Sequence, residues 1–192
     1  MKRKIAIFLV TTMLAGLSMG CSKEQSNATG QAKGDSIQIA VAAPMTGDNS
    51  EYGIGFYNAA MQKAKEWNDN GGVLGRQIEI VRYDDKNTAE EATTIAQKIV
   101  SDKKVAGVIG HFSSGVCMTA APLYQENKII EISPSASHPE YSLIGDYIFR
   151  NNTVISKEAA ASVDIAVNDL GKKNIGIISI MTDWGTNTSK II

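Results

Sequence analysis

The 192-residue chain predicts an α/β fold built on a parallel sheet covered by helices on both faces. Short, nearly continuous apolar runs recur along it, stretches with helical spacing separate them, and the loops that follow the runs are rich in glycine, serine and aspartate. Strands apolar on both faces belong to sheets buried on both faces. In such sheets ligands sit outside the carboxyl ends of the strands.

The amino end is read before any fold begins. Lys2, Arg3 and Lys4 precede the 13-residue apolar run Ile5 to Leu17, and Gly20 stands just before Cys21. A run that short falls below the about 20 residues needed to span a bilayer, so residues 1–20 read as a signal peptide and the protein as extracytoplasmic. A small residue followed by cysteine and serine resembles the cleavage box of bacterial lipoproteins, in which Cys21 carries the lipid. Against that box, Ser18 and Met19 depart from the usual pattern, and the alternative is cleavage that leaves Cys21 a plain thiol. Residues 21–35 are polar, with nothing apolar larger than alanine, and serve as a tether.

The elements follow in order. Ile37 to Ala43 is a strand. Phe56, Ala60, Ala64 and Trp67 recur at helical spacing until Asn70-Gly71-Gly72 stops them, and Ile78 to Tyr83 is the second strand. Thr88 with Glu91 three residues on forms a capping box, and Ala92, Ile95, Ala96 and Ile99 give the buried face of the second helix. Strand Val105 to Ile109, helix Gly115 to Glu126 and strand Ile129 to Ile132 complete a βαβαβαβ series, with Pro122 expected to kink or restart the third helix. Beyond Asn151 a helix from Ser156 to Leu170, capped by Ser156 and closed by Gly171, leads into a strand from Ile175 to Ile180.

Four loops occupy the carboxyl ends: Pro44 to Glu51, Asp84 to Asn87, His111 to Ser114 and Ser133 to Ser137. Two parallel strands ending in serine-bearing loops, GHFSSG and SPSAS, make a small-molecule cradle. The N–H groups and dipole at the following helix favour a bound carboxylate. Reactive readings fail on the residues. Gly110 and Gly115 have P-loop spacing, but Val116 and Cys117 replace the lysine and hydroxyl that a triphosphate needs, and neither Ser113 nor Ser114 has the flanking glycines of a hydrolase elbow. His111 and His138 read as hydrogen-bonded structural histidines, Asp84-Asp85 as a solvated strand end, and Ser133 as a shaper of the turn at Pro134. No metal, cofactor or catalytic group is assigned. Two cysteines, Cys21 and Cys117, exclude a disulfide framework, and Cys117 reads as a small core residue. Three of the 19 basic residues lie in the leader, leaving 16 against 20 acidic ones, so nucleic acid is excluded as a partner.

The phrases IQIAVAAPMTGDNSEYG, NDNGGVLGRQIEIVRYDD, VAGVIGHFSSG and IIEISPSASHPE stand in this order from Ile37 onward. In that register they resemble the substrate-binding proteins of branched-chain amino acid ABC transporters, the leucine/isoleucine/valine-binding family with the type I periplasmic-binding-protein fold. The resemblance implies two α/β lobes with a ligand clamped between them: a first lobe over residues 36–150 and a second, begun at 151–192 and incomplete, so that the chain is an N-terminal fragment.

By the same resemblance Ser114 meets the ligand carboxylate through its hydroxyl and N–H, with Phe112 and Ser113 beside it. Ser137 adds a hydroxyl, and carbonyls at Ser135 and Ala136 receive the ammonium. Tyr52, in the first loop, walls the side-chain pocket, with a loop anchor as its alternative role. Trp184 stacks on the ligand from the second lobe, or is a core aromatic at a strand end. Tryptophan replaces the tyrosine usual at that place, which leaves the ligand's identity open. The acidic group that usually faces the ammonium falls outside these 192 residues. The implied protein is a non-enzymatic, lipid-anchored receptor passing an amino acid or related carboxylate to an ABC permease. A receptor for an organic or aromatic carboxylate, or a sensory ligand-binding domain, shares the same fold.

Overall fold

The computed structural model describes residues 34–192, so the leader, Cys21 and all but the end of the tether lie outside the described residues. Five parallel strands form one sheet in the order β2-β1-β3-β4-β5: β1 Ile37–Ala43, β2 Ile78–Asp84, β3 Val105–Gly110, β4 Ile130–Ser133 and β5 Ile148–Arg150. The chain steps from β1 outward to β2, then returns to place β3 on the other side of β1. That reversal is the switch point where open α/β sheets hold ligands.

Helices α1 (Ser50–Asp69), α2 (Ala89–Ser101) and α3 (Ser114–Glu126) connect the first four strands. Between the sheet and α2 with α3 lies the core, in which Ile95, Ile99, Ala120 and Tyr124 meet Ala40, Ala42, Val105 and Val108. Thr88 caps α2 by accepting from the Glu91 N–H at 3.3 Å, as its spacing predicts. The reciprocal half of the box is not made, because the Glu91 carboxylate turns to the Lys86 ammonium at 2.7 Å. On the opposite face α1 buries Gly53 and Ala64. A side chain at Gly53 would run into the Pro44 carbonyl, so a glycine is required for α1 to start so close to β1.

Several expectations need correction. Helix α1 begins at Ser50, six residues ahead of the apolar period, which moves Tyr52 from the loop into the first helical turn. Trp67 is exposed: the buried stripe of α1 is narrow, and this residue falls outside it. Pro122 neither ends nor restarts α3, which runs through it unbroken. Strand β5 was not foreseen, since three residues, Ile148 to Arg150, are too few to show a period.

Past residue 151 the departures are larger. Helix α4 spans Ile155–Asp164 with Val154 at its N-cap, so Ser156 is not the cap, and a π-helical turn, Ile165–Asp169, replaces its last turns before Gly171. The expected strand from Ile175 to Ile180 is not a strand. Its N–H and C=O groups have no neighbouring strand among the described residues, and an apolar run without a ladder partner has nothing to hold it extended. Ile178 is fully exposed. Helix α5, Asp183–Ile191, follows with Thr182 capping Gly185.

One core residue conflicts with its surroundings. Glu131 on β4 is completely buried, and burial pushes its carboxyl well above the ordinary range. The Tyr141 hydroxyl and the His111 peptide oppose that rise only weakly, because neither carboxyl oxygen reaches hydrogen-bonding geometry with any described group. A carboxyl raised in the folded state binds its proton more tightly there than in the unfolded chain. Its contribution is therefore complete below the unfolded value near 4.5 and is lost as pH rises through the folded value. Glu131→Gln should accordingly raise stability at pH 8 and leave it little changed at pH 4. Urea midpoints at the two pH values check this, and an equal shift at both would refute it.

Candidate functional site

A cleft of about 740 Å³ opens where the carboxyl ends of β1 to β4 meet the start of α5. Tyr52, Phe112, Ser113, Ser114, Ser135 and Trp184, all singled out from the sequence, line it. Ala136 and Ser137 stand behind its wall, Ala136 with no exposed surface. Asn49, Asn87, Thr119, Thr182 and Asp183 line it as well and were not foreseen, because single polar residues in loops carry no period or motif.

The floor is polar. Ser113 is the N-cap of α3 but makes no side-chain cap hydrogen bond, so the amides of the first turn face the cleft without a capping acceptor. Ser114, nearly buried, accepts from the Ser137 N–H at 3.2 Å through its hydroxyl, which ties the two serine loops together. The hydroxyl proton remains free to be given to a ligand. An anion here meets a helix N-terminus, the amides of Ser114 and Gly115, and one hydroxyl.

The walls are aromatic. The rings of Tyr52 and Phe112 stack at 4.4 Å with 20° between their planes, and Phe56 supports Phe112 from behind at 6.3 Å. Tyr52 is about half exposed, as a residue facing an open cleft should be. The third aromatic residue of the lining, Trp184, donates its indole N–H to the Ser137 hydroxyl at 3.0 Å. That bond joins α5 to the loop after β4 and brings the indole into the lining of the same cleft as the other two rings.

Beneath the cleft lies a hydrogen-bonded support that the sequence reading did not assemble. Asp85 is fully buried, which corrects its reading as a solvated strand end: its Oδ2 lies 2.6 Å from Nδ1 of the equally buried His111. Nε2 of His111 is 3.2 Å from the Tyr124 hydroxyl on α3. His111 is thus structural, with both ring nitrogens engaged and no surface for substrate. Asp84, by contrast, remains partly exposed and accepts from the Met45 N–H at 2.8 Å and the Thr46 hydroxyl at 2.6 Å.

Ser133 does more than shape a turn. Its hydroxyl donates to the His111 carbonyl at 3.0 Å and accepts from the N–H groups of Ala136 (3.0 Å) and Ser135 (3.3 Å). The Ser135 hydroxyl in turn donates to the Phe112 carbonyl at 2.6 Å. Two side chains absent from the sequence reading hold the far side of this loop: Arg150 donates to the Ala136 carbonyl and Asn152 to the Ser135 carbonyl, each at 3.0 Å. Cys117 packs against Ser133 in the core, where burial raises its thiol well above the ordinary range and leaves it inert.

Known proteins share this architecture. A family described as periplasmic binding protein matches residues 36–191. The chain is 40% identical over 106 residues to the Leu/Ile/Val-binding protein homolog 1 of Brucella abortus, covering 55% of this chain and 28% of that protein. It is 28% identical over 193 residues to the leucine-specific-binding protein of Salmonella typhimurium, covering 100% of this chain and 49% of that one. A branched-chain amino acid transporter substrate-binding protein from Streptococcus pneumoniae, solved in complex with isoleucine, superposes with a TM-score of 0.75 at 25% identity, over 81% of this chain and 45% of that one. The chain thus spans about half or less of the length of these relatives.

The support under the cleft is open to test. Asp85→Ala leaves the buried imidazole Nδ1 without its partner, and an unsatisfied buried polar group costs about 1–3 kcal/mol. Urea unfolding should show that loss. The exposed Asp48→Ala, which leaves this network intact, should change stability by less than about 0.5 kcal/mol.

Proposed function

This chain belongs to the periplasmic binding protein family, and we propose that it is the ligand-binding part of an extracytoplasmic receptor that hands an amino acid to an ABC importer. The ligand is a zwitterion with a branched or otherwise apolar side chain. The observation that carries this reading is the meeting, in one cleft, of an uncapped helix N-terminus beside Ser114 with three aromatic rings. The relatives named for leucine, isoleucine and valine support the choice of side chain.

Each part of the site has a role in this account. The ligand carboxylate lies at the start of α3, taking the Ser114 hydroxyl and first-turn amides, with Ser113 adjacent. Its side chain lies between Tyr52 and Phe112 on one side and Trp184 on the other. Ser135 lines the back wall, and behind it the Ser137 hydroxyl anchors Trp184. Residues 36–150 form the first lobe and the chain from 151 starts the second. Closure of the two around the ligand excludes water and strengthens each polar contact. The site binds and releases its ligand unchanged. Residues 1–20 act as a signal peptide and a lipid on Cys21 holds the receptor at the membrane beside its permease.

Hydrogen bonds to a charged group contribute about 1.5–3 kcal/mol each. Ser114→Ala should therefore weaken leucine binding about ten-fold or more by calorimetry, while Ser101→Ala, at the exposed end of α2 and outside the cleft lining, should leave it within two-fold. The anchor is tested by detergent-phase partitioning of the protein expressed with its leader. Wild type should enter the detergent phase and Cys21→Ala the aqueous phase; equal partitioning would discard the lipid.

A further inference from the structure

We propose that Glu131 is a proton-operated control on the cleft: while its carboxyl holds a proton the Ser133–Ser137 loop keeps its binding form, and loss of that proton releases the loop. The proposal rests on the function proposed for the cleft and adds its regulation. Glu131 is not itself part of the cleft lining.

Its place on β4 gives it this reach. Glu131 and Ser133 are the buried members of β4, whereas Ile130 and Ile132 are exposed, so both side chains lie on the face that α3 covers through Cys117. Ser133 is the hub of the loop, through its bonds to the His111 carbonyl and to the N–H groups of Ser135 and Ala136. On the other side Glu131 donates its N–H to the Tyr147 carbonyl at 2.9 Å and pairs with Ile148 of β5, two residues before Arg150. Arg150 holds the carbonyls of Ala136 and Pro139 and the Ser142 hydroxyl, with its guanidinium 5.5 Å from the centre of the Tyr141 ring.

The surroundings of the carboxyl suit an acid but not its anion. Both carboxyl oxygens and the Tyr141 hydroxyl are buried without a hydrogen-bond partner among the described residues. The titratable groups that face Glu131 are Cys117 and Tyr124 from α3 and Tyr141 from the short 3-10 helix Tyr141–Leu143. Arg150 of β5 lies beyond the Tyr141 ring, the Asp85–His111 pair lies beyond Tyr124, and β3 contributes no ionisable side chain. Burial raises the Cys117 thiol and the Tyr124 and Tyr141 hydroxyls well above their ordinary values, so these three stay neutral. Arg150, the cation of this set, is engaged with the loop. An ionised Glu131 therefore lowers its energy either by drawing Arg150 towards it or by opening β4 to water, and each takes a support from the Ser133–Ser137 loop.

The direction of the pH dependence follows from the raised carboxyl. In the opened form the carboxyl returns to its ordinary value near 4.5, and in the closed form it holds its proton more tightly. The closed form is thus fully favoured below that ordinary value and loses ground as pH rises through the folded one. Since only the closed loop binds, the apparent affinity scales with the closed fraction, and a single proton limits the fall to about ten-fold per pH unit.

The test titrates wild type and Glu131→Gln with leucine by calorimetry from pH 5.5 to 8.5, alongside hydrogen exchange of the Ser135 and Ala136 amides without ligand. Taking the ratio of the two proteins at each pH cancels the titration of leucine and of every group they share. At pH 5.5 their affinities should agree within two-fold. By pH 8.5 wild type should bind about five-fold or more weakly than Glu131→Gln and exchange those two amides faster. If leucine binds but the affinity ratio is constant across the range, the control by Glu131 is overturned and the amino-acid function stands. If neither protein binds leucine at any pH, the amino-acid reading falls and exchange alone decides: a ratio that rises with pH upholds the control, and a constant one overturns it. Should Glu131→Gln not fold, Glu131→Met, uncharged and of similar size, takes its place with the same expectations.

Discussion

The contact between Asp85 and His111 is the constraint on which the rest of the site depends. It links the loop after β2 to the loop after β3, two strands that are not neighbours in the sheet because β1 lies between them. Strand pairing fixes where the loops begin but not where their tips go. Fully buried, the pair sets those tips, and every later contact is built from it: the His111 carbonyl receives Ser133, Ser133 orders Ser135 and Ala136, and Ser137 reaches Ser114. The serines proposed to meet the ligand are thus positioned by side chains that never touch it. Such support is what distinguishes a binding surface held in shape from a set of polar loops.

Polarity is distributed in the cleft so that few groups compete with the ligand. Most hydroxyls, amides and charged groups around the Ser133–Ser137 loop are consumed by one another, including both carbonyls held by Arg150 and Asn152. What remains at the open space includes the first turn of α3, the Ser113 and Ser114 hydroxyls, the amides of Asn49 and Asn87, the Asp183 carboxylate and three rings. A small polar pole beside an apolar wall fits a molecule with charged groups at one end and hydrocarbon at the other. The hydrogen bonds that run from Asp85 through His111 and Ser133 to Ser135 and Ala136 form within the protein, so the free energy of ordering them is met on folding and not again on binding.

Much of this was legible in the sequence, and the limits have physical causes. Strands β1 to β4, the Thr88 cap and the apolar face of α2 follow from local periodicity and short-range chemistry, and the serine loops follow from their place after the strands. Tyr52 was recognised but placed in a loop, because Ser50 to Gly55 has no apolar stripe to mark a helix; contact with Pro44 selects the helix there. The burial of Asp85 was missed for a different reason. Its partner is 26 residues away, and an acidic pair followed by lysine looks the same in sequence whether one of its carboxylates is solvated or turned inward. Arg150, Asn152 and Asp183 share that property: the first two hold carbonyls, and the third lines a cleft, that only the fold brings near them.

The segment from residue 171 to Thr182 shows the same dependence from the opposite side. Its isoleucines have the composition of a buried parallel strand, yet they stay exposed and unpaired, because a β-strand gains its stability from ladder partners on neighbouring strands. Helix α5, whose hydrogen bonds close within itself, forms beyond this segment regardless and is positioned by the indole bond to Ser137 and the Thr182 cap. Helices can therefore be located by local sequence and one or two anchoring contacts, whereas strands need their neighbours. For the cleft this difference matters: the residues it takes from beyond residue 151 lie at or next to the start of α5, and their placement relies on Trp184 rather than on a sheet. Trp184 is consequently both part of the cleft lining and the anchor that holds the start of α5, with Thr182 and Asp183, against the serine loops.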